Sequence, residues 1–158
     1  KKHKVKKILV VGCGGAGKSV STYFSKMKSI KRLTIFSRRV TDKKFAEKIK
    51  ANWINRKEIS SLSFDYDLVV NCSSLGFEKQ KKILPLPIFY LKKLNKKTII
   101  YDIIYKPLET KLIKISNKIG FRTMNGLNMN LDQAAIAFLY VNKSIGNLNF
   151  IKKAMNGK

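Results

Sequence analysis

The sequence predicts an α/β protein built on a doubly wound, mostly parallel six-stranded sheet with helices on both faces. Short apolar runs alternate with segments of helical periodicity, and this alternation favours parallel strands joined by right-handed crossovers. The first apolar run, residues 8–11, leads directly into a glycine-rich turn and then a helix. No internal repeat or low-complexity linker divides the 158 residues, and a chain of this length fits one domain.

The glycine-rich turn satisfies two phosphate-binding motifs. Gly12, Gly14 and Gly17 match the dinucleotide motif G-x-G-x-x-G, whereas Gly12 with Gly17-Lys18-Ser19 matches the P-loop, G-x-x-x-x-G-K-[ST]. In both, glycines let the backbone approach a phosphate at the N-terminus of the following helix. The first motif indicates a nicotinamide or flavin dinucleotide. The second indicates ATP or GTP with magnesium, and the turn alone does not decide between them.

The other elements follow from apolar spacing and from turn residues. Helix 15–28 is predicted to face the sheet with four apolar side chains: Val20, Tyr23, Phe24 and Met27. Thr41 or Asp42 is expected to cap helix 43–50, and Gly120 suits the position after helix 110–118. The remaining strands are predicted at residues 33–36, 53–54, 67–70, 98–104 and 121–124.

The last long helix is predicted over residues 127–142, followed by a short basic tail helix at 144–158. One apolar stripe of the long helix contains Leu131, Ala134, Ala135 and Phe138, and a second contains Met129, Ile136 and Tyr140. Gln133 interrupts the second stripe. A buried amide needs a hydrogen-bond partner, and either a ligand or a backbone carbonyl would serve.

The second strand ends at Ser37-Arg38-Arg39, where NAD-binding proteins carry an acidic residue that accepts the ribose 2′-hydroxyl. A hydroxyl and two guanidinium groups instead favour a 2′-phosphate, because arginine pairs with phosphate through a bidentate fork. On the dinucleotide interpretation, the cofactor is therefore NADP.

The net charge of +25 suits a phosphorylated ligand. The lysines are scattered through every segment without a basic, aromatic stripe, so we expect no nucleic-acid partner. No apolar run is long enough to span a bilayer, and the sequence predicts a cytoplasmic protein with no membrane partner. Cys13 and Cys72 lack metal-site spacing and are expected to be reduced, and His3 alone completes no metal centre.

Four motifs occur in the order found in shikimate dehydrogenases, and the chain resembles the C-terminal, NADP-binding domain of that family over about residues 6–143. The motifs are GCGGA at 12–16, NCSSLG at 71–76, YDIIYKPLET at 101–110 and NGLNMNLDQAA at 125–135. The resemblance implies a Rossmann-type domain at 1–143 with the tail helix 144–158 packed on it. It also implies reversible, NADPH-dependent reduction of 3-dehydroshikimate to shikimate in aromatic amino-acid (chorismate) biosynthesis. Quinate dehydrogenase, a P-loop NTP-binding protein and a non-catalytic basic interaction module are the alternatives.

The resemblance assigns site residues to this chain. The cofactor would contact Gly12, Cys13, Gly14, Gly15, Ala16, Ser37, Arg38, Arg39, Cys72, Ser73, Ile103, Gly126 and Met129, and the substrate would contact Tyr105 and Gln133. Arg38 matches the family's Asn-Arg-Thr motif, whereas Asp42 stands where a further basic residue is usual.

The family's catalytic Lys and Asp belong to an N-terminal substrate domain, which nothing in this chain matches. We therefore expect no catalytic residue here, no metal, and no turnover by the isolated chain. Shikimate or 3-dehydroshikimate would bind between this domain and that missing domain, and a homodimer is the expected assembly.

Overall fold

The computed structural model describes residues 4–142 and 147–155. The strands are β1 (Lys7–Val11), β2 (Arg32–Ser37), β3 (Asn52–Asn55), β4 (Leu68–Asn71), β5 (Ile99–Asp102) and β6 (Arg122–Met124). The α-helices are α1 (Gly15–Ser25), α2 (Asp42–Lys48), α3 (Ile88–Lys93), α4 (Lys111–Ile119), α5 (Leu127–Val141) and α6 (Leu148–Met155). Two 3₁₀ segments lie at Arg56–Ser61 and Glu78–Gln80.

The strands form one six-stranded sheet in the order β3-β2-β1-β4-β5-β6, and every neighbouring pair is parallel. This confirms the predicted fold class. The order reverses between β1 and β4, so a crevice opens at the carboxyl ends of these strands, where open α/β sheets bind ligands.

Both faces of β1 are buried. Leu9 and Val11 belong to the apolar cluster on one face of the sheet, and Ile8 and Val10 belong to the cluster on the other. A strand covered on both faces must be apolar at every position, which explains the unbroken run at residues 8–11.

Helix α1 packs on the sheet with two of the four predicted side chains and with two small residues that were not predicted. Gly17 and Ser21 are buried, and Val20 and Phe24 pack against the core, whereas Tyr23 is 64% exposed and Met27 is 38% exposed. The four inward positions follow helical spacing. The prediction for Tyr23 and Met27 was wrong because Gly17, which sequence hydrophobicity ignores, is the point of closest approach.

Helix ends were predicted unevenly. Gly120 ends α4 with a left-handed φ of 95°, as expected. At the start of the helix, the Thr110 side chain accepts a hydrogen bond from the Ile113 amide at 3.3 Å, a cap that was not predicted. Helix α2 begins at Asp42, and the side chain of Thr41 makes no capping hydrogen bond.

Helix α5 is mostly uncovered. Ala135 is its one buried residue, and Phe138, Ile136 and Tyr140 are 38%, 49% and 80% exposed. The two apolar stripes are therefore not core, because α5 packs chiefly against α6 rather than across the sheet. Residues 144–146 and 156–158 of the predicted tail helix, like His3, lie outside the described residues.

A buried carboxylate ties three elements together at the carboxyl ends of β4 and β5. Asp102 is fully buried and accepts hydrogen bonds from Thr110 Oγ1 (2.6 Å), Asn71 Nδ2 (3.0 Å) and the Ile104 amide (3.2 Å). Burial raises the pKa of Asp102, and the three hydrogen bonds it accepts lower it in part. The strand ends at Asp102 instead of continuing through residue 104 as predicted, because the carboxylate caps the turn that follows.

Replacing Thr110 with valine is expected to destabilise the protein by about 2–4 kcal/mol, because it removes both a hydrogen bond to a buried carboxylate and a helix cap. Chemical denaturation measures this free energy of unfolding. Thr110→Ser keeps the hydroxyl and is the matched control, so equal losses in both variants would contradict the assignment.

Candidate functional site

A cleft of about 360 Å³ lies at the carboxyl ends of β1, β2 and β4. Its walls come from the glycine turn after β1, the loop after β2 and the loop after β4. The lining residues are Val11, Gly12, Cys13, Gly14, Phe36, Ser37, Arg38, Arg39, Asp42, Arg56, Cys72, Ser73, Ser74 and Leu75. The cleft thus brings together most of the predicted cofactor residues, which are widely separated in sequence.

The glycine turn is shaped by contacts that exclude side chains. Gly12 has a left-handed φ of 97°, and a Cβ there would lie 3.0 Å from the Ser73 backbone nitrogen. A Cβ on Gly17 would collide with the Gly12 carbonyl oxygen. The turn after β1 and the first turns of α1 are therefore in direct backbone contact. Gly14 and Gly15, by contrast, have nothing within 4 Å of a Cβ position, which leaves open space above the first turn of α1.

The residues that distinguish a P-loop do not line the cleft. Helix α1 begins at Gly15, so Lys18 and Ser19 lie inside the helix. The Lys18 ammonium lies 5.6 Å from the centre of the Phe45 ring, and Ser19 Oγ donates to the Gly15 carbonyl at 3.1 Å. A P-loop needs this lysine on the β- and γ-phosphates and this hydroxyl on magnesium, so the geometry favours the dinucleotide interpretation.

The three polar residues predicted to meet the 2′-phosphate have different environments. Ser37 is buried, and its hydroxyl accepts a hydrogen bond from Trp53 Nε1 at 2.9 Å. Arg39 ion-pairs with the buried Asp42 at 3.0 Å and donates to the Cys13 carbonyl at 2.9 Å. Arg38 is exposed at the cleft. Arg38 is therefore the best placed of the three to meet an incoming anion.

Arg56 is a lining residue that the sequence analysis missed. It follows β3 directly, and its Nη2 donates to the Leu84 carbonyl at 3.4 Å. Burial and the nearby positive charge of Arg38 lower the pKa of Arg56. The available signal was a basic residue immediately after a strand that neighbours β2, but residues 53–54 were too short a pattern to fix where β3 ends.

The loop after β4 is held by the side chain of Asn71. Its Oδ1 accepts from the Ser73 amide (3.1 Å) and from Ser73 Oγ (2.7 Å), and its Nδ2 donates to the Leu75 carbonyl (3.2 Å) and to Asp102. Asn71 is completely buried. The loop therefore keeps a fixed shape beside the glycine turn.

The predicted nicotinamide and substrate residues lie in the segments that follow β5 and β6. Gly126 donates its amide to the Ile104 carbonyl at 3.1 Å, and a Cβ at position 126 would collide with the Ile103 carbonyl. Ile103 and Met129 are half-buried. Tyr105 is 43% exposed and lines a second, basic cleft with Phe77, and Gln133 is exposed, so its amide has no buried environment to satisfy.

Within the part of the chain that the structure describes, no three His, Cys, Asp or Glu side chains are grouped to hold a metal ion. Among the same residues, no helix is both long enough and apolar enough to cross a membrane.

The chain resembles proteins of known function along almost all of its length. It is 31% identical to the shikimate dehydrogenase (NADP(+)) of Nitrosopumilus maritimus over 156 residues, which cover 95% of this chain and 55% of that protein. The chain is homologous to shikimate dehydrogenases. It spans about half the length of the curated relatives it matches, and no protein-family model matches it.

Solved shikimate dehydrogenases have the same fold. The enzyme from Listeria monocytogenes, crystallised with shikimate and NAD, is 26% identical with a TM-score of 0.76 over 97% of this chain and 57% of that one. A shikimate dehydrogenase in complex with NADP+ is 26% identical with a TM-score of 0.74 over 98% of this chain and 55% of that one. This homology agrees with the resemblance carried by the four sequence motifs.

Both thiols of this dehydrogenase homologue lie beside the cleft, and both are buried. Burial, and secondarily the Asp42 carboxylate, raises the pKa of Cys13. Burial, and secondarily Asp102, raises the pKa of Cys72 to about 12. Both side chains are therefore neutral thiols at physiological pH.

We expect neither thiol to react with a disulfide reagent at pH 8 in the folded protein, because the thiolate is the reactive form and only about one Cys72 in ten thousand would carry it. In denaturant both thiols should react. Rapid labelling of the native protein at pH 8 would contradict this lack of reactivity.

Because the folded pKa of Cys72 exceeds its unfolded value of 9.0, the contribution of Cys72 to the free energy of unfolding is complete below pH 9 and is lost as pH rises toward 12.

Proposed function

We propose that this chain is the NADP-binding half of a cytoplasmic shikimate dehydrogenase, which interconverts 3-dehydroshikimate and shikimate. The observation that carries the proposal is the cleft at the ends of β1, β2 and β4, where the glycine turn and Arg38 face a common space. Homology to shikimate dehydrogenases along nearly the whole chain supports the assignment. A homodimer remains a prediction.

The shape of the glycine turn fits a pyrophosphate. The open space above Gly14 and Gly15 lies where amide N–H groups at the start of α1 lack intrahelical acceptors. The first turn of α1 contains no acidic residue, so nothing there repels an anion. We assign the pyrophosphate to this turn, with Cys13 and Ala16 adjoining, and the 2′-phosphate to Arg38.

The nicotinamide, when bound, supplies the hydride that reduces the substrate carbonyl. Ile103 and Gly126 would form the wall against which the ring lies, since their close backbone contact leaves no room for a side chain at position 126. Tyr105 and Gln133, both exposed, would reach the substrate from this side. By the resemblance, the proton-transferring Lys and Asp would belong to the substrate domain of the family.

The first test is calorimetric titration with NADP, NAD and Mg-ATP. We expect NADP to bind more tightly than NAD, because an extra phosphate meets guanidinium groups. Arg38→Ala should weaken NADP binding by roughly 1.5–3 kcal/mol, the contribution of a hydrogen bond to a charged group, and should leave NAD binding nearly unchanged. Equal loss for both dinucleotides would show that Arg38 does not contact the 2′-phosphate, and binding of Mg-ATP alone would refute the proposed function.

A second test concerns turnover. We expect the 158-residue chain alone to show no NADP-dependent oxidation of shikimate or of quinate, because the catalytic Lys and Asp would be missing. The measurement follows the absorbance of NADPH, with a full-length shikimate dehydrogenase as the positive control. Measurable turnover would show that the catalytic groups lie within these residues.

A further inference from the structure

The cleft has three guanidinium groups and one nearby carboxylate, and the carboxylate neutralises only one of them. Asp42 pairs with Arg39 at 3.0 Å. Among the described residues, no carboxylate lies within ion-pair distance of Arg38 or Arg56. Two positive side chains therefore line this end of the cleft without an acidic partner.

Sheet register brings these two arginines to the same edge. Ser37 of β2 is the parallel partner of Asn55 of β3, so Arg38 and Arg56 each come one residue after the end of neighbouring strands, which run about 4.8 Å apart. Asn55 Nδ2 also donates to the Arg38 carbonyl at 3.3 Å, which ties the two turns together. Both side chains line the cleft.

Placing two like charges side by side in a partly buried site is unfavourable unless an anion lies between them. The lowered pKa of Arg56, caused by burial and by Arg38, agrees with this arrangement. A phosphate monoester carries up to two negative charges and three acceptor oxygens, and therefore fits two guanidinium forks better than a ribose hydroxyl does.

Building on the proposed function, we propose that Arg56 binds the 2′-phosphate together with Arg38 and is a determinant of the preference for NADP over NAD. Arg56 would supply the second positive charge at the adenosine end, where Asp42 and Arg39 neutralise each other. The ligand chemistry is a phosphate monoester on the ribose of an adenine dinucleotide.

The test titrates the 158-residue chain and its Arg56→Gln variant with NADP and NAD, and with adenosine 2′,5′-bisphosphate and adenosine 5′-monophosphate as smaller probes. Arg56→Gln should weaken NADP and the bisphosphate by roughly 10- to 100-fold, as for loss of a charged hydrogen bond. Binding of NAD and the monophosphate should stay within about twofold, because neither carries the phosphate that Arg56 contacts.

Lys57→Gln is the matched control, because it removes the same charge from an exposed neighbour that does not line the cleft. It should change every affinity by about twofold or less. If Arg56→Gln fails to fold, as judged by thermal unfolding, Arg56→Lys keeps the charge but loses the bidentate fork and should weaken NADP binding selectively.

The outcomes separate the two proposals. Unchanged NADP binding in a folded Arg56 variant, or equal weakening of NADP and NAD, would overturn the role of Arg56 and leave the proposed function standing. Failure of the unmodified chain to bind NADP would overturn both.

Discussion

The hydrogen bonds to the buried Asp102 carboxylate hold together the carboxyl ends of β4 and β5, beside the cleft. Asp102 lies at the end of β5, receives the Asn71 side chain from the end of β4, and is bound by the residue that caps α4. A charge without access to water is stable only when its hydrogen bonds are satisfied. The ends of β4 and β5 and the start of α4 therefore keep fixed relative positions. Asn71 extends this order to the loop beside the glycine turn through its bonds to Ser73 and Leu75.

The positive charge of the cleft depends on which arginines form ion pairs as well as on how many basic residues the chain carries. The chain carries 34 Lys and Arg against 9 Asp and Glu, so a general attraction for anions needs no dedicated site. Selectivity needs guanidinium groups at a defined place. Here Asp42 neutralises Arg39, and the pair, joined to the Cys13 carbonyl, becomes a brace between the loop after β2 and the glycine turn. Among the residues that the structure describes, Arg38 and Arg56 have no acidic partner, and they are the proposed site of the phosphate.

The sequence predicted the middle of the sheet well because β1, β2 and β4 are buried along most of their length and are largely apolar. The meeting of the ends of β1, β2 and β4 follows from parallel topology. The sequence analysis was wrong about Tyr23 and Met27, because backbone contact at Gly17, rather than hydrophobicity, sets the face of α1. The helix α5 was predicted close to its observed bounds, but its apolar stripes did not indicate what packs against it, since a stripe shows what a helix is able to cover and not what covers it. The sequence analysis missed Arg56, because the composition of the four-residue strand β3 does not determine where the strand ends or how it pairs.

The glycines of the turn fall into two groups, and substitutions in the two groups should have different effects. At positions 12 and 17 the space for a side chain is occupied by other backbone atoms, whereas at positions 14 and 15 it is empty. In a saturation library, variants at the first pair would disappear from any screen for folded protein. Variants at the second pair would survive that screen and be lost only under selection for ligand binding. Comparing the two selections would test the proposed phosphate-binding surface residue by residue without a bound structure.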